Sequence, residues 1–300
     1  MRLAALDWRL VRDERRPGPE QLAYDEMAAE TAADGGPCTV RLYGWAAPGT
    51  LTLGYAQDAG VVDWAHCEDA GVDVTRRRTG GGAIYHDAAG DLAYAVAAPA
   101  DALPEGTAAS YRLLLEPVLD ALAALDVDAR LASERVAGRF RPACYLRPVH
   151  AAHDVVVPTD GGGVDDADSD GSDPVRKLAG SAQYRTSDAV LQHGSLSVAR
   201  TPGRHAAVFA DGPSPAAFRE RVGSLADRGV DRDALADALA DAFGSRVGAE
   251  PGDWTAAERD RARELAAEYR TDAWVRDAER ADVGAGVGTG GRPAGTADGG

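Results

Sequence analysis

The chain has 300 residues, enough for one large or two ordinary domains, and its 48 acidic against 32 basic side chains give a net charge of −16, which excludes nucleic acid or an anionic membrane as the main partner. Its three cysteines, Cys38, Cys67 and Cys144, are too few and too scattered for a disulfide framework or a structural zinc cluster, so no metal site is expected. The first 25 residues lack the apolar core of a secretory leader, and no run approaches the roughly 18 apolar residues of a membrane span, so a cytoplasmic protein is expected.

Residues 21–33 read as an amphipathic helix, with Leu22 and Met27 at helical spacing and Pro17 and Pro19 just before it. Residues 39–45 alternate Val40, Leu42 and Gly44 with Arg41 and Tyr43, predicting a strand, and 50–56 predict a second beyond an AAPGT turn. A short helix over 60–71 ends at Gly71, and 72–78 form a third strand. Residues 83–87 and 91–99 are predicted as a pair of strands joined by an AAG turn. A helix from about Ser110 to Leu125 and a strand candidate at 126–132 follow, then strands at 153–158, 177–185 and 189–198. Residues 159–175 are Gly- and Asp-rich and are expected to form a disordered acidic insertion at the tip of an expanded hairpin. Residues 214–280 are predicted mainly helical, and 281–300 a flexible tail. The expected class is α+β, a mixed or antiparallel sheet flanked by helices, in a single domain over 1–280.

The finer composition singles out one residue. Lys occurs once, at Lys177, while the other 31 of the 32 basic residues are Arg; Ile occurs once, at Ile84, and Asn is absent. This bias and the acid excess suggest a salt-adapted, halophilic cytosol. A position that keeps Lys where Arg serves everywhere else suggests a need for a compact ammonium.

Three segments carry chemistry. The run from Arg76 through Gly80, Gly81 and Gly82 to His86 and Asp87 places three glycines between two strands, where they are entropically costly unless backbone must approach a ligand. It is not a phosphate-binding P-loop, because no GKS or GKT follows. KLAGSAQ, from Lys177 through Gly180, Ser181 and Ala182, sets the only lysine beside small side chains. LQHGSL contains His193 and Gly194.

In this order the three segments resemble the lipoate–protein ligase and octanoyltransferase family, relatives of biotin–protein ligase, over about residues 20–200. The resemblance implies a fold like the catalytic domain of class II aminoacyl-tRNA synthetases, and a role in protein lipoylation. It implies that Lys177 polarises an acyl carbonyl and that Arg77 and His86 occupy positions which, in the ligases, face the phosphate of an acyl-adenylate. Gly80, Gly81, Gly82, Gly180, Ser181, Ala182, His193 and Gly194 fall in its substrate-binding motifs. Cys144, in RPACY ahead of the lysine motif, resembles the nucleophile of the cysteine-dependent octanoyltransferases. A packing role is the alternative for Cys144, while Cys38 and Cys67, which lack such a match, are expected to be structural. Lys177 with His150 or His153 is expected to activate it.

The first expectation is therefore transfer of an octanoyl group from octanoyl-acyl carrier protein, through a Cys144 thioester, to a lysine of a lipoyl carrier. The glycine-cleavage H protein and the 2-oxoacid dehydrogenase E2 subunit are such carriers, and no cofactor is required. The alternative is an ATP- and Mg2+-dependent lipoate–protein ligase, with or without a separate accessory subunit. A binding module that has lost activity is disfavoured by retention of Lys177 inside its motif.

Overall fold

Residues Asp91–Pro99 alternate alanine with larger side chains, and all but Pro99 are buried. Leu92, Tyr94, Val96 and Ala98 enter one core cluster, whereas Ala93, Ala95 and Ala97 enter another. A strand apolar on both faces belongs inside a sheet covered on both sides. That is its place in this structure, a computed structural model that describes residues 3–12, 15–133, 136–159 and 175–279.

The elements are β1 (Trp8–Arg12), α1 (Gly18–Ala33), β2 (Cys38–Tyr43), β3 (Gly49–Leu53), α2 (Trp64–Asp69), β4 (Asp73–Arg76), β5 (Ile84–Asp87), β6 (Asp91–Pro99), α3 (Thr107–Ala124), β7 (Arg130–Leu131) and β8 (Asp154–Pro158). After these come β9 (Val175–Arg185), β10 (Ala189–Ser197), α4 (Pro202–Ala207), α5 (Pro215–Arg221), α6 (Arg232–Val247), β11 (Glu250–Pro251), α7 (Ala256–Glu268) and α8 (Asp272–Asp277). Eight strands form a mixed sheet in the order β11-β1-β2-β6-β10-β9-β8-β7, and three form a smaller one in the order β4-β3-β5. Helix α1 covers the alanine face of β6 with Leu22, Ala23, Met27 and Ala28. Helices α3 and α6 cover the opposite face with Leu114, Leu115, Val118, Leu235, Leu239 and Phe243. Each large apolar side chain so buried contributes about 1.5–3 kcal/mol. The α+β class with helices on both faces of a mixed sheet agrees with the sequence.

Three expectations are corrected. The strands at 83–87 and 91–99 do not pair with each other: β5 pairs with β3, while β6 runs between β2 and β10. Asp87 causes the parting, since its Oδ1 accepts from Ala89 N at 2.9 Å and Gly90 N at 3.0 Å, and the tight turn redirects the chain. The result is two sheets in place of one. The strand at 126–132 shrinks to the two residues of β7, because Asp126 takes φ 55° and Val127 N bonds back to Leu122 O at 2.9 Å, closing α3. Strand β1, parallel to β2, was not predicted. Strands β8 and β9 pair antiparallel, with Pro158 opposite Val175, while residues 160–174 of the expected insertion, like the expected tail at 281–300, lie outside the described residues. Among the described residues no helix is long and apolar enough to cross a membrane.

Two buried basic groups organise the interior. Arg76 donates to six carbonyls, those of Gly54, Tyr55 and Gln57 in one loop and of Trp274, Val275 and Arg276 at the end of α8. It thereby ties α8 to the loop after β3. His205 of α4 sits against the rings of Tyr85, Tyr145 and Phe218, with centroids 5.3, 5.9 and 5.2 Å away. Burial drives its pKa down to about 4. The unfolded imidazole, at about 6.5, binds a proton that the folded one refuses. Stability should therefore fall as the pH drops from about 6.5 towards 4, by about 2 kcal/mol at pH 5 from this residue. Chemical denaturation across that range should show the loss, and His205→Phe should flatten it.

Candidate active site

The glycine loop joins β4 to β5, and its shape is set by charge. Arg77 is 5% exposed. Its Nη1 donates to Thr52 O at 3.0 Å and Thr52 Oγ1 at 3.3 Å, and its Nη2 to Gly80 O and Gly82 O, both at 2.8 Å. Its Nη2 thus binds the loop itself, and its Nη1 ties the loop to Thr52 of β3. Burial lowers its pKa to about 10, which leaves it charged at neutral pH. Gly81 adopts φ 102°, open to glycine at little strain. At Gly82 a Cβ would lie 2.8 Å from Pro142 O and 3.1 Å from Cys144 N, so only glycine admits the next segment.

That segment carries Cys144. Ala83 N donates to Pro142 O at 2.7 Å and Cys144 N to Ala83 O at 2.7 Å, bridging Ala83 to Ala143 in parallel. Cys144 begins a short 3-10 helix, Cys144–Leu146, whose Tyr145 and Leu146 are buried against the smaller sheet. Cys144 remains partly exposed, whereas Cys38 and Cys67 are buried, with thiol pKa values pushed up to about 11 by burial.

Lys177 reaches Cys144 from the larger sheet. Its Nζ lies 3.9 Å from Cys144 Sγ and 3.3 Å from Cys144 O. The same nitrogen pairs with Asp154 Oδ1 at 2.8 Å, both side chains being almost fully buried. Burial works against the ammonium, but Cys144 and Asp154 hold its pKa above the ordinary value. Burial likewise opposes the Asp154 carboxylate, yet Lys177 and His153 bring its pKa down to about 2. A β-bulge makes the approach possible. Val155 faces Ala179 but Val156 faces Lys177, so Leu178 is an extra residue in β9. An unbroken strand would turn Lys177 and Gly180 to opposite faces. Here a Cβ on Gly180 would lie 3.0 Å from Lys177 Cε and 3.1 Å from Nζ, so Gly180 is the space the ammonium occupies. Gly180→Ala should lower turnover roughly 10–100-fold by displacing Nζ, with little change in melting temperature. Steady-state rates beside a thermal melt would check this.

The other sequence candidates support the loop and the strands. His86 is buried, stacks on Trp45 with centroids 4.0 Å apart, and meets Thr52 Oγ1 through Nε2 at 3.2 Å. Arg77 donates to the same hydroxyl, and His86 Nδ1 lies 3.7 Å from Asp91 Oδ2. Burial and the Arg77 charge keep His86 neutral. His193 spans from Asp25 Oδ2 (2.9 Å) to Thr79 Oγ1 (2.8 Å), the residue before Gly80. Ser181 Oγ bonds Tyr94 OH at 2.7 Å; in the β9–β10 ladder Ala182 pairs with His193 and Gly194 with Ser181. Both histidines of the next segment touch Asp154: the backbone N–H of His150 donates to Asp154 Oδ2 at 2.9 Å, and His153 Nδ1 lies 3.3 Å from Oδ1. Asp154 is the functional residue that sequence reasoning missed. A carboxylate heading a buried Val-Val-Val strand demands a cation, and the chain has one lysine. Among the described residues no group of three or more His, Cys, Asp or Glu side chains could hold a metal ion. An apolar cavity of about 570 Å3 between Trp8, Leu103, Leu114 and Phe243 contains none of these residues.

Residues 17–244 match the lipoyl protein ligase A/B catalytic domain, a span that contains the glycine loop, Cys144 and Lys177. The chain belongs to that family. It is, accordingly, an acyl-transferring enzyme. Among curated relatives of this family member, the octanoyltransferase LipM of Kyrpidia tusciae is 33% identical over 89% of this chain and 97% of its own length. That of Symbiobacterium thermophilum is 35% identical over 63% of this chain and 65% of its own length. Among solved structures, the bipartite lipoate protein ligase of Thermoplasma acidophilum, described with its E2 lipoyl domain, superposes with a TM-score of 0.74 at 25% identity, covering 93% of this chain and 99% of that one. A lipoate-protein ligase A bound with ATP gives 0.71 at 26% identity, covering 90% and 99%.

Proposed function

We propose that this family member octanoylates lipoyl carrier domains by way of a Cys144 thioester, with octanoyl-acyl carrier protein as donor and no cofactor. The observation that carries the reading is the 3.9 Å approach of Lys177 Nζ to Cys144 Sγ. In the first half-reaction the Cys144 thiolate attacks the donor thioester carbonyl. A C–S bond forms to Cys144, the donor C–S bond breaks, and the donor leaves as a thiol after taking a proton. In the second, the neutral amine of the carrier lysine attacks the acyl-cysteine. The C–N bond forms, the amine proton is lost, and Cys144 departs as a thiolate. Negative charge develops on the carbonyl oxygen in both steps. The N–H of Cys144 is committed to Ala83 O, so the Lys177 ammonium is the positive group within reach. Asp154 holds that ammonium in line.

The likeness to ATP-using ligases supports a second reading, in which Lys177 faces an acyl-adenylate and ATP with Mg2+ is needed. Arg77 fits it poorly as a phosphate ligand, because its terminal nitrogens are committed to Thr52, Gly80 and Gly82. Intact mass after mixing with octanoyl-acyl carrier protein and no ATP separates the two. Gain of one octanoyl group, removed by hydroxylamine and absent from Cys144→Ser, is expected. Absence of an adduct together with ATP-dependent lipoylation of a carrier would overturn the transferase reading.

A further inference from the structure

From Val136 to His153 the sequence holds Arg139, Arg141, Arg147 and two histidines but no aspartate or glutamate. In a chain with 48 acids in 300 residues this is an island of opposite sign, and Cys144 lies inside it. Arg139 is paired with Glu220. Arg141 is exposed and Arg147 half-buried, three residues before and after the nucleophile, and among the described residues neither guanidinium has a carboxylate partner. The loop is rigid. Arg139 N bonds Leu146 O at 2.8 Å, Cys144 N bonds Ala83 O at 2.7 Å, and Gln57 Nε2 bonds Pro142 O at 2.9 Å.

We infer that this loop is the docking surface for the acceptor carrier, with Arg141 and Arg147 meeting carboxylates that flank the target lysine on that domain. The inference rests on the carrier-domain reading above. A lysine that delivers its amine to Cys144 brings its flanking residues down onto the two guanidiniums. Elsewhere the net negative surface repels an acidic partner, so attraction confined to this loop sets the orientation of docking.

Arg141→Glu tests it, because among the described residues no hydrogen bond or ion pair joins Arg141 to Lys177, Asp154 or the glycine loop. Octanoyl-pantetheine, a donor without a protein surface, loads Cys144, and transfer to a lipoyl domain is then followed in single turnover at low and high salt. Loading within about twofold of wild type is expected, with transfer slowed roughly 10-fold or more at low salt and less so at high salt. A carrier with a flanking carboxylate changed to lysine should recover the rate. Equal losses in loading and transfer, or an unchanged transfer rate, overturn the inference. Failure of the wild type to load, with ATP-dependent lipoylation instead, would sink the cysteine reading alone. ATP–pyrophosphate exchange then replaces loading as the reference, and the same comparison still decides the docking surface.

Discussion

Cys144→Ala should lower octanoylation of a carrier domain by about 10^3-fold or more, because the covalent route through the acyl-enzyme disappears. The fold should survive. The N–H of residue 144 keeps its bond to Ala83 O, the half-exposed side chain leaves little cavity, and the expected loss of stability is about 1 kcal/mol. A gel-shift or mass assay of the carrier, beside a thermal melt, measures both. Retention of ATP-dependent lipoylation at near wild-type rate in this variant would assign the thiol to packing and the enzyme to the ligases.

Lys177→Met is expected to fail twice, once in chemistry and once in folding. Without the ammonium, charge developing on the acyl oxygen loses its nearest positive group, and turnover should drop by roughly 10^2–10^3-fold. The same change strands the Asp154 carboxylate, which is 1% exposed, with only His150 N and His153 as partners. Breaking a buried pair from one side destabilises by about 3 kcal/mol or more, a fall of roughly 5–10 °C in melting temperature. Adding Asp154→Asn to Lys177→Met should recover most of the stability and none of the activity. Acid should reproduce part of the loss of stability. The folded Asp154 pKa of about 2 lies below its unfolded value, so its contribution is complete above about pH 4 and disappears as pH falls towards 2. Recovery of activity along with stability in the double variant would show that Lys177 only holds the fold.

What the sequence revealed and what it hid follow from the range of the interactions. Strands such as β6 and helices such as α1 announce themselves through local periodicity, and Lys177 through its solitude among arginines. Contacts set by long-range register stay hidden. The bulge at Leu178, which aims Lys177 at Cys144, leaves no mark in a run that reads as an ordinary strand. The parting of β5 from β6 depends on what Asp87 caps and not on the alternation of either strand. Arg77 and His86 stand in a motif whose resemblance suggested phosphate. Folded, both are joined through Thr52 in holding the glycine loop.

The clamp made by Arg76 also bears on how the protein is born. Arg76 is separated from Trp274 by 198 positions. At synthesis rates of about 5–20 residues per second, it therefore waits roughly 10–40 s for half of its acceptors to be made. The loop it braces passes so close to the glycine loop that a Cβ on Gly54 would lie 2.1 Å from Gly81 O. Until α8 arrives that contact has only half its anchorage, so a nascent chain holds a thiol and a lysine without a finished loop to set them. Full anchorage of the glycine loop thereby waits until α8 has been made.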